Sequence, residues 1–305
     1  MELRHLRFFV AVAETGSLTE AAGKRLHTAQ PSLGRQMRDL EYEVGVTLMT
    51  RSARGIELTP SGRAFLDHAR LALAQVEAAG VAARRAAQRI RPTFALGFLT
   101  GQEVDWMQPA LRVLRDELPN TDVTVSSQYS PDLADALRRG KLDVAFMRRE
   151  KDGGDLDYRL LIREPLMAVM PSDHRLAAQD SVNIEEIARE SFIHMSKTAP
   201  VLRDLIDDYL KRSRVSIAPT HEVDNIAMAM SMIASTRSVA LLPAYAQTFL
   251  PWSVVSRPLK GEVPTIDLVA GYSKVNDSAT LKLFLSRLED VIASVAEQRA
   301  RLQNR

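Results

Sequence analysis

Residues 18–44 constrain this chain more than any other stretch, because they read as two short helices meeting at a tight joint. Leu18, Ala22 and Leu26 are spaced by four and return to one helical face. His27-Thr28-Ala29-Gln30 breaks that spacing, and Pro31 suits the first turn of a new helix, where its missing N–H is not needed. In the second helix Leu33, Met37 and Leu40 make the buried stripe, leaving Gln30, Ser32, Arg35, Gln36 and Arg38 as polar groups near its start. Gln and Arg carry paired donors and acceptors that match adenine and guanine edges in the major groove. A short helix that positions a second one bearing such groups is the helix-turn-helix arrangement. A solvated amphipathic helix pair would share the pattern, so the rest of the chain has to decide between them.

A chain of 305 residues, 46% apolar, allows roughly two domains with packed cores. The absence of cysteine excludes disulfides, thiolate chemistry and Cys-ligated zinc. No run approaches the roughly 18 apolar residues of a membrane span. The short apolar run at 8–13 has Glu2 and Glu14 around it, which argues against a signal peptide, so a cytoplasmic protein without a membrane partner is expected. The net charge of +2 hides an asymmetry: residues 1–91 carry 14 Lys/Arg against 9 Asp/Glu, and the remainder 26 against 29. A basic front on a near-neutral body suits a local nucleic-acid footprint.

In chain order, residues 3–14 form an amphipathic helix whose Leu3, Leu6, Val10 and Ala13 are placed to close a small core. Ser17 is a cap for the next helix with Glu20 as its capping-box partner, and that N-terminus also suits a backbone phosphate. Residues 47–58 alternate loosely around Arg51, Arg54 and Gly55, as a two-stranded wing would. Arg51 and Arg54 are read as phosphate or minor-groove contacts, with simple solvated charge as the alternative. Residues 60–89 form a long alanine-rich helix. Phe65, Ala69, Ala72, Val76, Ala79, Ala83 and Ala86 follow a four-three spacing, a coiled-coil seam whose length favours a partner chain over packing on its own domain. Arg84, Arg85, Arg89 and Arg91 suit its C-terminus, and Arg91-Pro92 reads as a hinge.

From Thr93 short apolar strands alternate with helices, the pattern of an α/β fold with a mostly parallel sheet. Strands are expected at 94–99, 123–127, 143–147, 166–170, 192–194, 239–243 and 265–271, with a single closing helix over 281–302. Ligands of such folds sit at the carboxyl ends of strands, beside the N-termini of the following helices. That rule marks Leu99, Thr100, Gly101 and Gln102, then Tyr129 and Ser130, Met147 and Arg148, His194 and Ser196, and Asn225. Hydroxyls, amide donors and one guanidinium suit a small carboxylate. Each residue has a plainer role open to it: Thr100 and Ser130 as helix caps, Arg148 paired with Glu150 or Asp152, His194 as a core histidine. No Gly-x-Ser-x-Gly elbow, Walker loop or Gly-x-Gly-x-x-Gly follows a strand, and the six histidines lack metal-ligand spacing. No catalytic residue, metal or cofactor is therefore assigned, and a transport binding protein on the same body would leave the basic front idle.

The whole chain resembles the LysR-type transcriptional regulators. Residues 1–13 look like the family's opening helix, while Ala29-Gln30-Pro31-Ser32-Leu33, Arg35-Gln36-Met37 and Leu40-Glu41 look like its recognition helix. Gly45-Val46, Leu48, Arg51, Leu58-Thr59 and Gly62 fit its wing and the entry to its linker helix. The resemblance implies an all-α winged helix-turn-helix over 1–59 and a linker helix over 60–91. It further implies an effector domain over 92–305 with two α/β lobes, a relative of the periplasmic binding-protein fold. Lobe I would take 92–163 and 268–305, and lobe II 164–267. Promoter DNA, a small aromatic or dicarboxylic acid effector, a homodimer through the linker helix and a homotetramer are the partners it implies, with RNA polymerase left open. Residues 138–143, Met147-Arg148, Glu164-Pro165-Leu166 and Asp173-His174 are similar to the regulators of aromatic catabolism that respond to phenylpropionate, benzoate or muconate. Thr100, Ser130 and Arg148 fall where the muconate responders hold their effector carboxylates.

The chain departs from the family at three places. Gly34 replaces the usual Ser or Thr, and residues 21–26 carry one residue more than the usual Ala-Ala-x-x-Leu, expected to bulge near Gly23 or lengthen the turn. Ser235-Thr236-Arg237-Ser238 replaces Ala-Gly-x-Gly, where a left-handed helix end would be costly for Thr236, implying a differently shaped pocket wall.

Overall fold

A computed structural model describes residues 1–52, 55–87, 92–150 and 154–303. Two compact units divide the chain, residues 1–84 and 85–305.

The first unit begins with helix α1 (Leu3–Thr15), ended by Gly16 in the left-handed conformation. Leu6, Phe9 and Val12 are its core contacts, whereas Leu3 is exposed and Val10 and Ala13 are only half-buried. The expected stripe is therefore rotated, because Phe9 supplies the largest apolar surface and meets Phe65 edge-on at 5.1 Å. Helix α2 (Leu18–Glu20) starts at Ser17, whose hydroxyl accepts the Glu20 N–H at 3.3 Å, and passes directly into a π-helix, Ala21–Leu26. The wider π turn absorbs the additional residue, as its i→i+5 bonding takes one more residue per turn than an α-helix. The N–H groups of His27 and Thr28 both reach back to the Ala22 carbonyl, and His27 takes a left-handed backbone (φ 48°) to leave the helix. Ala21 and Ala22 stay in the core, so the bulge points outward at exposed Gly23.

Helix α3 (Gln30–Val44) buries Leu33, Met37 and Leu40, and Gly34 with them. Strands β1 (Met49–Ser52) and β2 (Gly55–Leu58) pair antiparallel as the wing. Glu41 ties α3 to this wing by accepting the N–H groups of Leu48 and Met49 at 2.8 and 3.0 Å. Helix α4 (Pro60–Ala87) opens with the Thr59 hydroxyl accepting the Gly62 N–H and donating to the Thr47 carbonyl. A Cβ on Gly62 would lie 1.9 Å from the Leu48 carbonyl oxygen, so only glycine lets α4 start so close to the wing. Val76, Ala79 and Ala83 of the expected seam are exposed; Arg89 and Arg91 lie outside the described residues.

Among the described residues the second unit has three hydrophobic cores, two in one lobe and one in the other, on one continuous run of sheet, ordered β4-β3-β5-β11-β6-β9-β7-β8, with β10 beside β6. Lobe I holds β3 (Thr93–Leu99), β4 (Asp122–Gln128) and β5 (Val144–Met147), all parallel, with α5 (Glu103–Glu117) and α6 (Ser130–Arg138). Lobe II holds β7 (Phe192–Met195), β8 (His221–Val223) and β9 (Val239–Pro243), again parallel, with α7 (Ile184–Ile187), α8 (Pro200–Arg212) and α9 (Ile226–Thr236). The whole sheet is mixed rather than mostly parallel. Its joining strands, β6 (Leu156–Pro171) and β11 (Thr265–Ser273), run antiparallel to each other, as one crossing out and one crossing back must; β10 (Val254–Pro258) adds an antiparallel edge. The larger lobe I core, around Phe98 and Phe146, ends at Leu161 and Leu268, and the lobe II core begins at Leu166 and Ile266. The β6–β11 register slips between Leu268 and Val269, at this same crossing. The expected closing helix is two, α10 (Ala279–Ser286) and α11 (Leu288–Gln303). Their break at Arg287 lets Leu281, Phe284 and Leu285, and then Leu288, Val291 and Val295, all reach one core.

The 235–238 departure resolves differently from expectation. Thr236 remains helical with its hydroxyl on the Met232 carbonyl (2.7 Å), and Arg237 takes the left-handed position (φ 57°). Ser238, fully buried, closes the turn through Thr236 (2.7 Å) and Ser191 (2.8 Å). The left-handed position thus falls on Arg237 rather than on Thr236, and the hydroxyl bonds hold the turn in place.

Candidate functional site

The first unit presents α3 outward. Gln30, Pro31, Ser32, Arg35 and Arg38 are exposed, and the Ala29 N-cap makes no side-chain cap, so the N-terminal N–H groups are open to a phosphate. Gln36 is half-buried, its Oε1 3.1 Å from His5 Nε2, which orients its amide. Ser17 lies at the start of α2 as a cap. Arg51 sits on β1 opposite Ile56; its side chain, and Arg54 altogether, lie outside the described residues. Lys24 and Arg25 are held by Glu20 and Glu14, so they are not additional free cations.

In the second unit a cavity of about 230 Å³ opens between the lobes. Lobe I contributes Leu99, Thr100, Gly101, Tyr129, Ser130 and Arg148, and lobe II contributes Asn225, each at a strand end or helix start as the sequence rule placed it. Arg148 is the buried cation of the site. Its Nη2 donates to Glu164 at 2.8 Å rather than to the expected Glu150, Asp152 lying outside the described residues, and its backbone N–H donates to the Ser130 hydroxyl at 2.9 Å. Its Nη1 is buried with no partner among the described residues, and its guanidinium lies 5.5 Å from the Tyr245 ring centre. Glu164 also accepts from Gln102 Nε2 (3.2 Å) and Arg299 Nη2 (3.4 Å), while Arg299 pairs with Asp105 (2.7 Å). Burial raises the Tyr245 phenol well above its ordinary value, so it stays a neutral hydroxyl.

Four expected residues are not brought to the cavity. Gln102 is buried against Glu164, and Met147 is fully buried in the smaller lobe I core with Leu133 and Leu137. His194 is buried, with Nδ1 accepting the Met195 N–H and Nε2 2.8 Å from Asp207, the core-histidine alternative. Ser196 stands behind Thr198, its hydroxyl committed to Asp224 at 2.5 Å. Asn225 caps α9 by accepting the Met228 N–H (2.8 Å), and its Nδ2 crosses the cleft to the Tyr129 hydroxyl (3.3 Å).

Sequence reasoning missed Tyr245 and Phe249, which wall the cavity from lobe II, and Thr198, Pro200 and Leu202 at the start of α8. The strand-end rule applied to β9 would have found the aromatic pair; the helix itself is legible in the sequence over 201–211, and Pro200 in its first turn would have marked its start as lining. Gly101 sits beneath both rings with φ +93°; a Cβ there would meet Tyr245 at 3.2 Å and Phe249 at 3.4 Å. Glycine is thus needed for the turn and for the approach of the opposite lobe. Among the described residues no group of His, Asp or Glu could hold a metal, and no helix is long and apolar enough to cross a membrane.

Residues 3–63 match the family described as bacterial regulatory helix-turn-helix protein, lysR family, and residues 87–293 match the LysR substrate binding domain. The Hca operon transcriptional activator HcaR of Escherichia coli is 35% identical over 299 residues, covering 97% of this chain and 99% of that protein. The probable cat1 operon transcriptional activator of Acinetobacter lwoffii is 30% identical over 92% of each chain. The crystal structure of full-length BenM, at 24% identity, has the same fold with a TM-score of 0.60, covering 96% of this chain and 97% of that one. The outward recognition helix, the interlobe cavity and these matches together place the chain in the LysR family, as a DNA-binding transcriptional regulator with an effector-binding domain.

Proposed function

We propose that the regulator responds to a small aromatic or dicarboxylic acid bound between its two lobes. The observation that carries this reading is Arg148: a buried guanidinium at the cavity with one nitrogen still unpartnered, beside the Ser130 hydroxyl. A carboxylate there would complete its hydrogen bonding. Thr100 adds a second hydroxyl, and Leu99, Tyr245 and Phe249 take the apolar body. On the DNA, Gln30, Arg35 and Gln36 read base edges, while Ser17, Pro31, Ser32, Arg51 and Arg54 approach the phosphates of the double-stranded promoter. The exposed small residues of α4 join two subunits, and pairs of dimers form a tetramer whose DNA spacing is open to change. RNA polymerase would be the further partner of such an assembly.

A ligand shifts a regulator only by binding one conformation better than another. Closing two lobes about paired crossing strands provides two such states, and a coupling of about 1–3 kcal/mol suffices to alter DNA bending. Thr100→Val keeps the shape and removes the hydroxyl. Titrating aromatic acids with DNA bending as the readout, the variant should need more effector while its unliganded DNA binding is unchanged. Equal response of both proteins at the same effector concentration would place the pocket elsewhere.

A further inference from the structure

We infer that the cavity selects an aromatic monoacid carrying hydrogen-bond-donating ring hydroxyls and discriminates against a dianion; this rests on the cleft being the effector site. Three charged side chains line it: Arg148, Glu103 and Asp224. The Arg148 charge is already answered by Glu164 at 2.8 Å, and the Arg299 charge beside it by Asp105 at 2.7 Å. The buried network is therefore balanced, and two carboxylates remain on the cavity side.

Both keep an oxygen to spare. Glu103 accepts the Gly101 N–H through Oε2 at 2.7 Å, and its Oε1 has no partner among the described residues. Asp224 takes Ser196 at 2.5 Å and Thr198 at 3.4 Å through Oδ1, leaving Oδ2 likewise without one. Against these acceptors stands one unfilled cationic donor among the described lining residues, Arg148 Nη1. One ligand carboxylate uses that donor. A second would meet half-buried Glu103, or Asp224 exposed at the cavity rim, as a like charge. A ring hydroxyl instead donates to either carboxylate, and being neutral it enters the apolar stretch between Leu99, Ile226 and Phe249 without the cost of desolvating an ion.

The test uses the full-length chain and calorimetric titration with four probes: 3-phenylpropionate, 3-(3,4-dihydroxyphenyl)propionate, cis,cis-muconate and L-phenylalanine, the last offering an ammonium as the donor. The dihydroxy acid should bind the wild type at least about tenfold more tightly than 3-phenylpropionate, with muconate weakest. Asp224→Asn should cut that preference to under about threefold, and combining it with Glu103→Gln should tighten muconate by about tenfold. Because preference is a ratio within one protein, any loss of folded material cancels. Equal binding of the two monoacids, muconate or L-phenylalanine binding most tightly, or a preference untouched by Asp224→Asn overturns the selectivity while leaving the cleft reading intact. Should none of the probes bind the wild type, or should Ala227→Trp, which adds an indole to the cavity lining, leave their binding unchanged, the cleft reading itself fails and the selectivity with it.

Discussion

The recognition helix and the interlobe cavity both depend on arginine, yet they hold it in opposite ways. Arg35 is exposed on α3 and makes no hydrogen bond or ion pair among the described residues. Arg148 is buried to 5% side-chain exposure against a Glu164 carboxylate at 1%. An exposed guanidinium keeps its solvation until DNA arrives, so leaving it unpaired costs the fold nothing and keeps it free to find a base edge or phosphate. A buried one is tolerable only when another charge stands beside it. The first arrangement suits a large polyanion met at a surface; the second suits one small acid enclosed between lobes. Salt should therefore tune the first strongly and the second weakly.

The largest expected effect comes from removing the partner of the buried arginine. Glu164→Gln leaves Arg148 with no opposing charge at that contact and should destabilise the effector unit by about 3–5 kcal/mol. Denaturant unfolding of the full chain should show the transition of that unit moving while the other stays in place. An unmoved effector transition would mean that solvent already reaches the pair.

Next in size is Arg35→Ala, which should cost about 1–3 kcal/mol on the specific operator and little on random DNA. The comparison is an affinity measurement on both DNAs at one fixed salt concentration. Equal losses would reduce Arg35 to a phosphate contact and erase the contrast with an enclosed, selective arginine.

The smallest effect belongs to Glu14, an intermediate case between the two arginine environments. Its carboxylate is 31% exposed and pairs with Arg70 at 3.0 Å and with Arg25, tying α1 to the π-helix and α4. Burial acts to raise its pKa, but the two arginines outweigh it and hold the group below the ordinary carboxylate value. A lowered folded pKa means stability that is present above the ordinary value and lost as pH falls through the folded one. Glu14→Gln should therefore cost about 0–1 kcal/mol near neutral pH, a difference that fades below about pH 4 and at high salt. A cost unchanged by acid or by high salt would show that the contact is packing rather than charge.

Much of this was written locally. Leu33, Met37 and Leu40 announce the buried face of α3, and the Ser17 cap and the paired wing strands follow from spacing and turn chemistry. The lining residues Leu99, Thr100, Gly101, Tyr129, Ser130, Arg148 and Asn225 were legible because a strand end next to a helix start is a local pattern. The additional residue at 21–26 was visible as a count, but its form as a π turn was not, since α and π bonding differ only in which carbonyl each N–H reaches.

Tertiary structure alone decided the charge state of the cavity. Glu164 lies 16 positions from Arg148, and Arg299 more than a hundred from both, and nothing in their neighbours predicts that they meet. The same holds for the aromatic wall of Tyr245 and Phe249 over Gly101, and for the retreat of Met147 and His194 into cores. Sequence determined which elements form and which of their ends face outward, because those depend on period and capping over a few residues. Which charges are neutralised depends on side chains carried together by strands that cross between lobes, and a linear pattern does not encode that distance.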